Sequence, residues 1–221
     1  MTSKQFTLYT HKTGTNGWKV AIVLVELGLS FDSIYLDFTE VKQVAHTKFN
    51  PNGRIPTLID HSNNDFVVWE SNAILIYLVE KYDKEHKISA SSLEDKATQL
   101  QWLFFQASGQ GAYFGQAAWF RNYHHEKIPS ALERYLRETI RLTTVLESVL
   151  SKQAWLTCDK LTIADLSFIP WNRYAFDHMI EGFEGFNLEK DCPAVAAWHA
   201  KLMARPAVAE QFALKDALAP K

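Results

Sequence analysis

β-structure signals stop a third of the way along the chain, and that limits the architectures open to it. "FTLYT" (6–10) and "FDSIYLDF" (31–38) read as strands, the second alternating with Phe31, Ile34 and Leu36 among polar neighbours. "PTLID" (56–60) and "DFVVW" (65–69) are two short strands joined through Asn63-Asn64. "WKVAIVLVELGL" (18–29) puts Val20, Val23, Leu24 and Leu27 on one helical face and stops at Gly28. From Ser71, "SNAILIYLVEKY" is helical again, with Ile74, Leu75, Leu78 and Val79 as its buried stripe. The order is strand, helix, strand, a weakly helical link, then strand, strand, helix, which specifies a small mixed sheet covered by helices.

From residue 93 every long periodic segment is helical. "LEDKATQLQWLFFQASGQGAYFGQAAWF" is one long pattern loosened by Gly109 and Gly111. "SALERYLRETIRLTTVLESVLS" (130–151) turns Leu132, Leu136, Ile140, Leu146 and Leu150 inward, and "PAVAAWHAKLMARPAV" gives a last helix before Pro206. The polar stretch "KEHKISASSLED" separates the two regimes. An α/β lobe over residues 1–84 and an all-helical lobe over 93–221 are therefore expected.

Of the 221 residues, 47% are hydrophobic and 22% charged, with a formal net charge of −2, which suits a soluble globular chain. Lys and Arg are spread evenly, whereas nucleic-acid binding needs a clustered basic face. Cys158 and Cys192 stand in no metal-ligand spacing, so no metal is expected; two thiols in a chain this size point weakly to a reducing compartment. No apolar run is long enough to span a membrane, and the N-terminus lacks a signal-peptide pattern, so a cytoplasmic protein is expected.

Three short stretches carry mechanism. In "NGRIPTLI" (52–59), Pro56 stands at a strand entry, where a cis peptide would expose the backbone of Ile55 to an extended peptide ligand. In "WESNAI" (69–74), Ser71 can cap a helix whose first N–H groups attract a carboxylate, while Glu70 would attract an ammonium. The pair suits a zwitterionic α-amino acid head, although a plain helix cap needs no more than this. In "LTIADLSF" (161–168), Thr162 and Asp165 have capping-box spacing, with Leu161 and Leu166 at the staple positions, a structural signal.

In combination and order these stretches resemble the cytosolic glutathione transferase superfamily, across essentially the whole chain. The resemblance implies an α/β thioredoxin-like N-terminal domain plus an all-α helical C-terminal domain. "NPNGRIPTLID" resembles the segment with the family's cis-proline, here Pro56, and "WESNAILIYL" its Glu-Ser γ-glutamyl motif. "GTNGWKVAIVLVELGL" and "GQGAYFGQAAWF" are similar to the fungal nitrogen-regulator-like transferases and their bacterial relatives, which carry Asn where other classes carry Ser or Cys. The regulator's prion-forming arm is not expected, since about five residues precede the first strand. A second-helix Gln or His that would touch the glycyl end of glutathione is replaced. An ungapped register puts Val41 there, beside Lys42 and Gln43, so that contact is not carried over.

The resemblance implies that glutathione is the cosubstrate and that Asn16 is the catalytic residue. A thiol near pKa ~8.5 is mostly protonated at pH 7, and lowering it by two units needs ~2.7 kcal/mol of preferential stabilisation of the anion. The Asn16 amide offers N–H donors without ionising. Placed as the cap of the following helix it would add the helix dipole, with Gly17 leaving room for close approach. Tyr9 and Thr15 are the competing hydroxyls. Arg54 is placed near a carboxylate, Ile55 as backbone partner of the cysteinyl moiety, and Glu70 and Ser71 at the γ-glutamyl head. Tyr113, Phe114, Trp119, Tyr123 and Trp171 are candidate walls for a second-substrate pocket, although an aromatic run in a helical domain is more often core. The expected activity is transfer of glutathione to a small apolar electrophile, or glutathione-dependent reduction of a disulfide, by a homodimer without nucleic-acid or membrane partners. A non-catalytic glutathione-binding or protein-interaction module is the alternative.

Overall fold

The computed structural model describes residues 4–218. It divides into two compact units, one of residues up to Ile88 together with those from Ala204 onward, the other Ser89–Met203. Residues 204 to 218 therefore sit with the N-terminal unit, whereas the sequence division left them with the helical lobe.

The first unit is built on β1 (Phe6–Thr10), α1 (Thr15–Glu26), β2 (Phe31–Tyr35), a 3-10 turn (Glu40–Lys42), α2 (Val44–Thr47), β3 (Thr57–Asp60), β4 (Phe66–Trp69) and α3 (Ser71–Tyr82). The sheet order is β2-β1-β3-β4. β1 and β2 are parallel, as a strand–helix–strand crossover through α1 requires, and the other pairs are antiparallel. Phe6, Leu8 and Thr10 are buried. Thr10 lies beside α1, while Tyr9 on the opposite face packs against His46 and Phe49. β2 departs from its expected facing. Ile34 is 40% exposed, and Phe31, Ser33 and Tyr35 are the half-buried positions of this edge strand.

The helical unit follows as α4 (Leu93–Phe105), a π-helical stretch (Gln106–Gly111), α5 (Ala112–Asn122), α6 (Pro129–Leu150), α7 (Ile163–His178), α8 (Leu188–Asp191) and α9 (Pro193–Met203). The π-helical stretch falls where two glycines loosened the pattern. Gly109 passes so close to α6 that a Cβ there would lie 3.1 Å from Leu142. The capping box is formed as expected: Thr162 Oγ1 accepts from the Ala164 N–H, and Asp165 Oδ2 accepts from the Thr162 N–H.

Chain pattern failed beyond Pro206, where a further helix, α10 (Pro206–Leu218), begins instead of the fold ending. Proline is favourable at the first helical position, where its missing N–H is not needed. α10 packs on α1, and Arg205 donates to both carboxylate oxygens of Glu26 at 2.7 and 2.8 Å. Among the described residues no helix is long and apolar enough to cross a membrane, and no group of three His, Cys, Asp or Glu is arranged to hold a metal.

Candidate active site

The sheet register brings three separated segments to one edge. Tyr9 pairs with Thr57, and Thr57 pairs with Trp69. The C-terminal ends of β1 and β4 and the N-terminal end of β3 therefore share an edge. The chain just beyond that edge is the approach to α1, the Ile55–Pro56 peptide and Glu70-Ser71. Ile55 packs its side chain against Gly14, where a Cβ would lie 3.2 Å from Ile55 Cδ1. Lys19 of α1 reaches Ser71 Oγ at 3.0 Å. Asn16, Ile55, Glu70 and Ser71 are thus positioned around one corner of the first unit.

The approach to α1 is fixed by Trp18, which is 2% exposed and donates its indole N–H to Lys12 O at 3.1 Å. Gly14 takes the N-cap position in extended backbone, Thr15 is the first helical residue and Asn16 the second. Asn16 is therefore not the cap, and the expectation that it caps α1 is corrected. It is half-buried in the first turn, within the positive field of the helix N-terminus. Gly17 is also reassigned. A Cβ there would lie 1.8 Å from Thr10 Oγ1, so the missing side chain admits β1, not a ligand. Gly17→Ala is expected to cost about 2–3 kcal/mol, read from urea unfolding, with partial recovery in a Thr10→Ala background. An unchanged midpoint would refute this contact.

Ile55–Pro56 is cis, as the family resemblance implied. The loop before it is braced from inside. His46 Nδ1 lies 3.1 Å from Val41 O, which can only accept, so Nδ1 carries the proton and Nε2 accepts from Thr57 Oγ1 at 3.1 Å. Asn50 Nδ2 donates to Thr57 Oγ1 at 3.0 Å and to Arg54 O at 2.8 Å. Arg54 and Lys42 are exposed, whereas Val41 is buried.

Ser71 is likewise not a cap. Glu70 occupies the N-cap of α3 with φ 71°, and Ser71 is the first helical residue. Positive φ in a non-glycine residue costs on the order of 1–3 kcal/mol and is retained mainly where function or surroundings demand it. Here it leaves the Glu70 carboxylate exposed beside Ser71, which is 9% exposed, at the start of α3. The first N–H groups of a helix have no partner within it, so this end offers donors and positive potential to an anion next to an acid that attracts a cation.

Lys19 was missed by pattern reading, being one polar residue in an apolar run. It is 1% exposed and donates to Ser71 Oγ and Asn72 Oδ1, both at 3.0 Å. Burial pulls its pKa down to about 7, against the raising effect of Glu70.

The proposed aromatic walls do not share one surface. Phe114 is 1% exposed in the core of the helical unit, with Leu136, Leu142 and Met179. Tyr113 and Trp171 pack partly buried against that cluster, while Trp119 and Tyr123 are 44% and 62% exposed. Phe114 is therefore a core residue and not a pocket wall. Tyr9, the rival hydroxyl, lies against α2 on the other sheet face from Gly17.

Residues 4–80 match the family model "Glutathione S-transferase, N-terminal domain", and residues 93–206 match "Glutathione S-transferase, C-terminal domain". Glutathione S-transferase 2 of Schizosaccharomyces pombe is 49% identical over 94% of each chain. The structure of the glutathione transferase URE2P5 from Phanerochaete chrysosporium is 55% identical, with a TM-score of 0.95 over 98% of this chain and 97% of that one. The same relative has been cocrystallised with 1-(S-glutathionyl)-2,4-dinitrobenzene. The transcriptional regulator URE2 of Saccharomyces cerevisiae is 39% identical over 92% of this chain and 66% of its own length. On this evidence the chain belongs to the glutathione S-transferase family, among its Ure2-like members.

Proposed function

We propose that this protein is a glutathione transferase whose glutathione site is the corner formed by the start of α1, Ile55–Pro56 and the start of α3. The observation that carries the reading is the convergence there of Asn16, Ile55, Glu70 and Ser71. Glu70 pairs with the γ-glutamyl ammonium, and Ser71 with the first turn of α3 holds its carboxylate. The Ile55 backbone pairs with the cysteinyl residue, and Arg54 lies near a carboxylate of the peptide. Asn16 donates to the sulfur within the field of α1 and favours the thiolate.

The thiolate then attacks an apolar electrophile. With a halo-nitrobenzene, a carbon–sulfur bond forms and halide departs. With a disulfide, the thiolate takes one sulfur into a mixed disulfide and releases the other as thiol. A second glutathione then attacks the glutathionyl sulfur of the mixed disulfide, breaking that bond to form oxidised glutathione and release the remaining substrate sulfur as a second thiol. The glutathionyl-dinitrobenzene complex of URE2P5 supports the first reaction. A homodimer acting in the cytoplasm, with detoxification or disulfide reduction as its role, completes the proposal. The similarity to URE2 favours one alternative, a binder with little turnover.

Retention on immobilised glutathione, followed by halo-nitrobenzene and hydroxyethyl-disulfide assays side by side, tests the reading. Retention with turnover in either assay is expected. Retention without turnover in both would replace the transferase with the binder, and no retention would remove the site.

A further inference from the structure

Lys19 lies beneath the proposed γ-glutamyl subsite without lining it. Asn16 and Lys19 are separated by less than one turn of α1, so one helix places the amide at its first turn and this ammonium under the start of α3. An ammonium is costly to bury, and a fully buried lysine makes sense where its charge or its donors are used. Its contacts are directional. An ammonium only donates, so Ser71 Oγ must accept from it. A hydroxyl that accepts from a cation keeps its own proton for another acceptor. Asn72 Oδ1 accepts as well, which sets the orientation of that amide.

We propose that Lys19 is a positioning residue for the γ-glutamyl head: from below it holds the Ser71 O–H as a donor to the ligand carboxylate and adds positive potential there. This role rests on the glutathione site proposed above. It also predicts a linkage. Burial lowers the Lys19 pKa to about 7, and a carboxylate bound above Ser71 favours its charged form. Binding therefore takes up protons near neutrality, and affinity falls as the pH rises above 7. The titratable groups on the elements packed against α1 are Glu70, Tyr77, Glu80, Lys81 and Tyr82 with α3, and Glu210, Lys215 and Asp216 on α10. β1 adds Tyr9 and no charge. Of these, Glu70 acts on Lys19, raising its pKa.

Calorimetric titration with S-methylglutathione, whose blocked sulfur cannot ionise, tests the role between pH 6 and 8. Wild type is expected to lose affinity several-fold over that range. Lys19→Met is expected to bind about tenfold more weakly at pH 6.5, with little pH dependence. Because Lys19 acts through Ser71, Lys19→Met adds little to the loss already caused by Ser71→Ala. A folded Lys19→Met that binds like wild type, or a loss fully additive with that of Ser71→Ala, overturns the role while leaving the site intact. If Lys19→Met does not fold, the wild-type pH series decides, and a flat series overturns the role. Wild type that binds no S-methylglutathione at any pH overturns the site, and the positioning role with it.

Discussion

Asn16→Ala is expected to raise the pKa of the bound glutathione thiol by a unit or more and to lower kcat/KM near pH 6.5 by about ten- to a hundredfold. The reasoning follows the electrostatics of the corner. Of the groups there that could take a proton, His11 beside Gly14 has its Nδ1 engaged by Thr13 and its ring stacked on Phe38, Glu70 is assigned to the γ-glutamyl ammonium, and Tyr9 is packed against α2 on the far face of the sheet. Cys158 and Cys192 both belong to the helical unit, so the unit that carries α1 has no cysteine of its own. Asn16 offers an amide in the first turn of α1 together with the field of that turn. Such donors stabilise an anion without changing their own charge, so the loss appears in the thiolate pKa more than in glutathione affinity. Thiolate ultraviolet absorbance titrated against pH measures it directly. If wild type and Asn16→Ala titrate alike while both still bind glutathione, Asn16 does not activate the sulfur, and Thr15, one residue earlier, becomes the group to test.

The same corner shows what a sequence can and cannot carry. The strands and their order were legible because alternation and turn residues are local signals, and α3 because its buried stripe repeats with helical spacing. Asn16 and Ser71 were singled out as candidates but given the wrong posts. Asn and Ser are preferred caps, and nothing local revealed that Gly14 and Glu70 would take those positions. Lys19 left no trace at all, because its partners lie more than fifty residues away and appear only once α1 packs on α3. Gly17 misled for a related reason. The space above a glycine is defined by what approaches it, here Thr10 from β1. Phe114 and Trp119, five positions apart in one aromatic run, ended in the core and on the surface respectively.

Asp165→Ala is expected to destabilise the helical unit by about 3–5 kcal/mol at pH 7.5, without touching the proposed glutathione site. Asp165 is fully buried at the start of α7 and ties three pieces of chain together. Its Oδ1 accepts from the Leu156 N–H at 3.0 Å and from the Trp198 indole N–H at 3.1 Å, and its Oδ2 from the Thr162 N–H at 2.9 Å. Alanine would leave three buried donors unpaired, each worth about 1–3 kcal/mol, far beyond the ~1 kcal/mol of an ordinary cap. Asparagine keeps one acceptor and is expected to lose less. The group also gives stability a pH dependence of defined sign. Burial lifts its pKa from 3.8 to about 6 in spite of the donors around it. Between those values the folded protein holds a proton that the unfolded chain has released, so this contribution is present in full below about pH 4 and fades as the pH rises towards 6. Urea unfolding followed by fluorescence across pH 4 to 7.5 reads both effects, with that slope present in wild type and absent in Asp165→Ala. A loss below about 1 kcal/mol at pH 7.5 would mean that the three donors find other partners and that the capping box is not what holds α7, the 156–162 segment and α9 in register.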